Sequence, residues 1–305
     1  MSTPRYTPPK DLSAYAWLSI AAALGTIALK GLAAWLTGSV GLLSDAAESL
    51  VNLVAAVVAL IVLKISIRPA DADHQFGHSK AEYFSAVIEG VMIFVAAAFI
   101  IISSIERLLN PVMPEQLGVG LVISVIASLL NGAVAWVLYR KGRQERSLTL
   151  IADAKHLATD IVTSAAVLVG VGLVAVFDSP ILDAIVALGA GLNIMWTGFK
   201  LIRESVAGLM DAAPSAEALR TVEEVLERRR RPGVIDFHAV RLREAGARRF
   251  MDLHVLVPAA WSVKQGHDFT EEVIDELVAA DASLRISAHL EPIEDPRSYE
   301  DVADV

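Results

Sequence analysis

The chain contains no cysteine. Disulfides and thiolate metal sites are therefore excluded, and any metal chemistry must use His, Asp, Glu, Asn or backbone groups. Charge is also scarce: 20% of the 305 residues are charged and 54% are hydrophobic, giving a mean hydropathy of +0.53. A soluble domain is less apolar than this. Positive charge is in deficit, with a net charge of −9, so nucleic acid is excluded as a partner because it selects a basic surface. No H-E-x-x-H and no G-x-S-x-G occurs, which removes the usual zinc-protease and serine-hydrolase signatures. The first residues, MSTPRYTPPK, are polar, so no cleavable leader is expected.

Long apolar runs are present instead. Stretches of about 20 residues, enough to span a bilayer, occur near Ser13–Leu36, Gly41–Leu63, Phe84–Ile105, Leu117–Tyr139, Leu148–Phe177 and Ile181–Ile202. The expected fold class is an α-helical membrane protein with six transmembrane helices plus a cytoplasmic α+β domain. Residues 1–12 are read as a cytoplasmic N-terminal segment, 13–207 as the transmembrane domain, 208–296 as the cytoplasmic domain and 297–305 as a tail. Lys and Arg concentrate on one side: Arg5 and Lys10; Lys64, Arg68 and Lys80; Arg140, Lys141, Arg143 and Arg146; Lys200 and Arg203. The opposite connections are poor in them, which places both termini in the cytoplasm. An integral protein of a bacterial inner membrane, surrounded by lipid, is expected.

After Arg203 the chain becomes charged. Ser215–Arg229 reads as a helix with a Ser cap. Val234–Arg243 and Arg249–Val257 read as strands about the turn EAGAR, Val263–Ala279 as a second helix and Leu284–Glu291 as a last strand. The order is αββαβ, suited to a small two-layer core.

Two intramembrane segments repeat one pattern. SDAAESLVN (Ser44–Asn52) and ADAKHLATD (Ala152–Asp160) both read small-Asp-Ala-x-(Glu/His)-x-x-x-(Asn/Asp). Glu48 and Asn52 are four apart, as are His156 and Asp160, so each pair lies one above the other on a helix face. Asp45 and Asp153 sit three residues earlier, as groups behind the ligands or gates. Glu48 falls on the order of 10 Å below one end of its span and Asp160 on the order of 18 Å above the start of its own. Across a core of about 30 Å these levels nearly meet. Carboxylate, amide oxygen, imidazole and carboxylate make four N/O ligands, which suit a tetrahedral divalent metal, zinc first. A charge at mid-membrane costs at least ~2.5 kcal/mol and usually marks an ion path. The isolated Glu89, Asn131 and Asn193 read as packing or helix-contact groups.

Of seven histidines, only His156 lies in a span. Asp71, His74 and His78 follow i, i+3, i+7 spacing in the loop PADADHQFGHSKAE, which a helix or tight turn would gather into a three-ligand site. His238, His254, His267 and His289 are all in the tail, and His289 shares a strand face with Glu291.

LLSDAAESLVN, ADADHQFGHSKAE, ADAKHLATD, LMDAAP, FMDLHV, QGH and AHLEP, in that order, together resemble the cation diffusion facilitator family of metal–proton antiporters, over about Asp11 to Pro296. The resemblance implies a homodimer that expels divalent cations, most often Zn2+, in exchange for protons. It implies a transport site of Glu48, Asn52, His156 and Asp160 and a loop site of Asp71, His74 and His78. It further implies tail ligands among His238, His254, His267, His289 and Glu291, and a charged interlock of Lys80 with Asp211. Family members usually carry Asp or His and then Asp on the second span. Glu48 and Asn52 depart from this, lowering the ligand charge to −2, so iron(II), cobalt, nickel, cadmium and manganese stand as alternatives to zinc. A membrane-anchored metal sensor is the competing reading. An intramembrane metalloenzyme is disfavoured, since a four-ligand site leaves no open position for water.

Overall fold

The computed structural model describes residues 10–37, 40–111, 118–177, 179 and 181–300. The side chains of Asp45 and Glu48 lie outside the described set. Two compact units result, one covering Lys10–Ala207 and the other beginning at Gly208.

The first unit is made of six helices: α1 (Ser13–Thr37), α2 (Val40–Ser66), α3 (Ala81–Leu109), α4 (Gly118–Glu145), α5 (Leu148–Phe177) and α6 (Ile181–Leu209). The shortest has 25 residues, about 37 Å of helix, which exceeds a hydrocarbon core of about 30 Å. The helices overrun the apolar stretches that mark them. α4 continues through Arg140–Glu145 and α6 through Arg203–Leu209, because backbone hydrogen bonding persists after lipid contact ends. Among the described residues, Ser13–Leu32, Ala81–Leu109 and Ala184–Leu209 are long and apolar enough to cross a membrane. Large apolar side chains point outward, with Phe99 and Leu129 each 69% exposed. Such exposure suits lipid rather than water.

Inside the unit, Leu60 and Leu63 of α2, Leu138 of α4, and Leu150, Ala154 and Leu157 of α5 form one cluster with Ala16 and Ile20 of α1. A second joins Ala86, Ile93 and Ala97 of α3 to Ala152 of α5 and Ile194 and Leu201 of α6. α3 and α6 approach closely: a Cβ on Gly198 would lie 3.0 Å from both Gly90 O and Phe94 N. α5 is thus held from both sides, and it carries His156 and Asp160.

The second unit runs α7 (Ala216–Arg229), β1 (Asp236–Ala245), β2 (Arg248–Val257), α8 (Val263–Ala280) and β3 (Leu284–Pro292), the expected αββαβ order. Ser215 caps α7 by accepting from Ala218 N. Ser262 caps α8 through a reciprocal box with Gln265, which satisfies amides that have no partner within the helix. β2 is central, antiparallel to β1 and parallel to β3. Met251, Leu253 and Val255 of β2 pack with Val222 and Leu226 of α7 and Val273 and Leu277 of α8. Alternation on β2 sends Phe250, Asp252 and His254 to the other face.

Candidate metal centres

In the helical unit the second half of the repeated pattern is buried. Asp153, His156 and Asp160 have 1%, 5% and 8% exposure, and Asn52 of α2 has 3%. Asn52 Nδ2 donates to Asp160 Oδ2. Asn131 Nδ2 of α4 donates to the same oxygen at 3.2 Å. Asn131 thus makes a helix contact, and its partner is a proposed ligand. A lone amide gives no sequence signal of this, because its partner is 29 residues away on another helix. Both ring nitrogens of His156 are buried and have no hydrogen-bond partner among the described residues. Buried polar groups of this kind are rare because each costs about 1–3 kcal/mol. The His156 imidazole lies one helical turn from Asp160, whose carboxylate accepts from the Asn52 amide, and imidazole, carboxylate and amide oxygen are donor types that a transition metal takes. The structure brings Asn52 and Asp160 together; Glu48 and Asp45 lie outside the described side chains.

The loop site closes through a tight turn rather than a helix. Asp71 Oδ1 accepts from His74 N at 2.7 Å and Asp73 N at 3.1 Å. Gly77, with φ of 83°, donates to His74 O at 2.8 Å. That left-handed position suits glycine. His74 Nδ1 and His78 Nε2 each lie 3.4 Å from the Asp71 carboxylate, and the three donor atoms fall within 4.8 Å of one another. The backbone N–H of His74 holds the Asp71 carboxyl below the ordinary range, so it is ionised and ready as a ligand.

In the tail, strand register does the gathering. His238 pairs with His254 across β1–β2, and His254 with His289 across β2–β3. The three histidines stand in a row across the sheet. A bulge between His238 and Arg241, where Ala239 has φ of 49°, sits beside the first. Glu291 is buried, two residues beyond His289, and its carboxylate meets all three: His238 Nε2 at 2.9 Å, His254 Nδ1 at 3.2 Å and His289 Nδ1 at 3.2 Å. His238, His254 and Glu291 offer donor atoms within 4.8 Å of one another. His289 stands at the exposed edge. His267 is exposed on α8 and outside this group. The donor sets of loop and tail, imidazole and carboxylate, fit a divalent transition metal.

Lys80 precedes the first turn of α3. Asp211 accepts from Arg243 at 3.1 Å, and Arg243 lies over the Phe250 ring, 4.6 Å from its centroid. Arg243 is a partner that spacing alone did not reveal.

A lipid-facing helical unit burying an acid–imidazole–amide cluster, followed by a unit with a further cluster of metal-type donors, defines an integral membrane transporter of metal cations. Residues 16–210 match the cation efflux transmembrane domain, and residues 214–293 match the cation efflux protein cytoplasmic domain. The chain belongs to the cation efflux, or cation diffusion facilitator, family, whose members are transporters of divalent metals. It is 46% identical to the Uncharacterized transporter sll1263 of Synechocystis sp., over 94% of this chain and 92% of that one. It is 31% identical to the Cation-efflux pump FieF of Salmonella arizonae, over 89% and 90%. A FieF of Citrobacter koseri is 30% identical over 87% of each chain.

Proposed function

We propose that this protein expels a divalent transition metal, zinc first, from the cytoplasm in exchange for protons. The cargo binds at Glu48, Asn52, His156 and Asp160. The observation that carries this reading is the buried His156 ring, with neither nitrogen bonded among the described residues, on the same helix as Asp160. Metal binds the deprotonated ligands, so loading releases protons and protonation releases metal. His156 is the natural proton carrier, and Glu48 or Asp160 can take a second proton. Asn52 cannot, which limits the number of coupled protons. Alternating access presents the deprotonated site to the cytoplasm and the protonated site to the outside.

The units divide the work: residues 13–207 transport, and residues 208–296 bind metal and hold a homodimer together. Metal at the loop and tail ligands favours the transport-ready state, a coupling between sites. Lys80 and Asp211 serve the dimer interlock. Lys and Arg placement supports cytoplasmic termini in a bacterial inner membrane. The neutral Asn52 supports a second choice of cargo among iron(II), cobalt, nickel, cadmium and manganese.

The test is a panel of these metals in proteoliposomes with an imposed pH gradient and an internal metal dye. Zinc flux that rises with the gradient is expected. Flux indifferent to the gradient would remove proton exchange, and absence of flux for every metal would favour the sensor.

A further inference from the structure

We infer that Glu82 is a positioning residue that transmits occupancy of the Asp71–His74–His78 site to α5, the helix bearing His156 and Asp160. The inference rests on the metal-binding reading above.

Glu82 lies in the first turn of α3 and is 5% exposed. Its Oε2 accepts from Ser147 Oγ at 2.6 Å and from Thr149 N at 3.3 Å. Ser147 Oγ in turn accepts from Leu150 N at 3.4 Å. First-turn amides have no acceptor within their own helix, and the helix N-terminus carries partial positive charge. α5 is therefore capped by a carboxylate from a helix 65 residues earlier in the chain. Ser147 and Thr149 are fully buried, which leaves water no place as a substitute acceptor. On the other side α4 presses against the same turn: a Cβ on Gly142 would lie 3.1 Å from Ile151 N. The start of α5 thus follows Glu82.

Glu82 follows the loop site just as closely. Ala81 N donates to His78 O at 2.9 Å, Glu82 N to Ser79 O at 3.4 Å and Tyr83 N to Lys80 O at 3.1 Å. One hydrogen-bonded turn joins the ligand His78 to α3, with no flexible joint before Glu82. From Thr149 to His156 is about 10 Å of continuous helix. A metal drawing His78 toward Asp71 therefore acts on α5 through a path of backbone, one carboxylate and one hydroxyl.

The test is amide hydrogen exchange on the full-length protein in detergent, with and without zinc, in a His156→Ala background so that the transport site cannot contribute. Zinc should slow exchange in the first turns of α5 by about fivefold or more, the lower end of inter-site couplings. Asp71→Ala should abolish this response. Glu82→Ala should abolish it too, while the loop amides near His74 and Gly77 still slow. A retained α5 response in Glu82→Ala, or no response in the background protein, overturns the inference. Should Glu82→Ala fail to fold, Ser147→Ala breaks the 2.6 Å contact with the carboxylate still present, and the same two outcomes decide. In vesicles, Asp71→Ala and Glu82→Ala should raise KM for zinc to the same extent, and the double variant no further. Multiplying effects overturn the coupling. Vesicles of wild type that carry no zinc overturn the transport reading instead, and the exchange result still decides the role of Glu82.

Discussion

Replacing Glu291 by Gln in the tail should remove most of the zinc-dependent stability of the second unit. Among the described residues Glu291 is the one carboxylate within reach of His238, His254 and His289, at 2.9, 3.2 and 3.2 Å. Removing a mere hydrogen-bonding neighbour of a metal ligand costs about 10–100-fold in affinity. Removing the single anionic ligand belongs at the upper end, about 100-fold or 2.7 kcal/mol. Zinc at 100 times the wild-type Kd stabilises the folded form by about 2.7 kcal/mol, whereas at the variant's Kd the same zinc gives about 0.4 kcal/mol. In a domain of this size 1 kcal/mol moves Tm by about 4–8 °C. The wild-type shift is thus on the order of 10–20 °C and that of Glu291→Gln only about 2–3 °C. The assay is thermal unfolding of full-length protein in detergent, followed by tail-specific amide exchange, in an Asp71→Ala background. His267→Ala, altered outside the group, should keep the full shift. A full zinc shift in Glu291→Gln would refute the assignment.

Other expectations follow from single contacts. Asn131→Ala frees one donor from Asp160 and should raise KM for zinc by about tenfold in vesicle flux; an unchanged KM would return Asn131 to packing. Gly198→Ala drives a methyl toward Gly90 O and Phe94 N, both at 3.0 Å, and should destabilise the helical unit by about 1–3 kcal/mol. Unaltered detergent melting would show that α3 and α6 part without cost. Leu253→Ala opens a cavity between β2 and the tail helices and should cost about 2–5 kcal/mol, read as an earlier denaturation midpoint for the tail.

Hydrophobic runs located each of the six helices, and α5 agreed from Leu148 to Phe177. They did not give the ends of α4 and α6, since hydropathy reports lipid contact and not the hydrogen bonds that carry a helix past the membrane. Alternation exposed the tail strands, and it put His289 and Glu291 on one face. It could not align His238, His254 and His289 in a row, because that depends on the hairpin at Gly246 and on the crossover through α8. The loop spacing left helix or turn open; the side chain of Asp71, bonded to the His74 amide, selects the turn. Asn131, Glu82 and Arg243 stayed illegible because each acts through a partner on another element, and no local pattern encodes such a pairing.

In the proposed mechanism cargo passes through His156 and Asp160. The direct measurement is zinc uptake into proteoliposomes by wild type, His156→Ala and Asp160→Ala at equal protein levels, with zinc binding at the tail verified in each. Both variants should lose flux while the tail still binds zinc. Undiminished flux in either variant would contradict this mechanism.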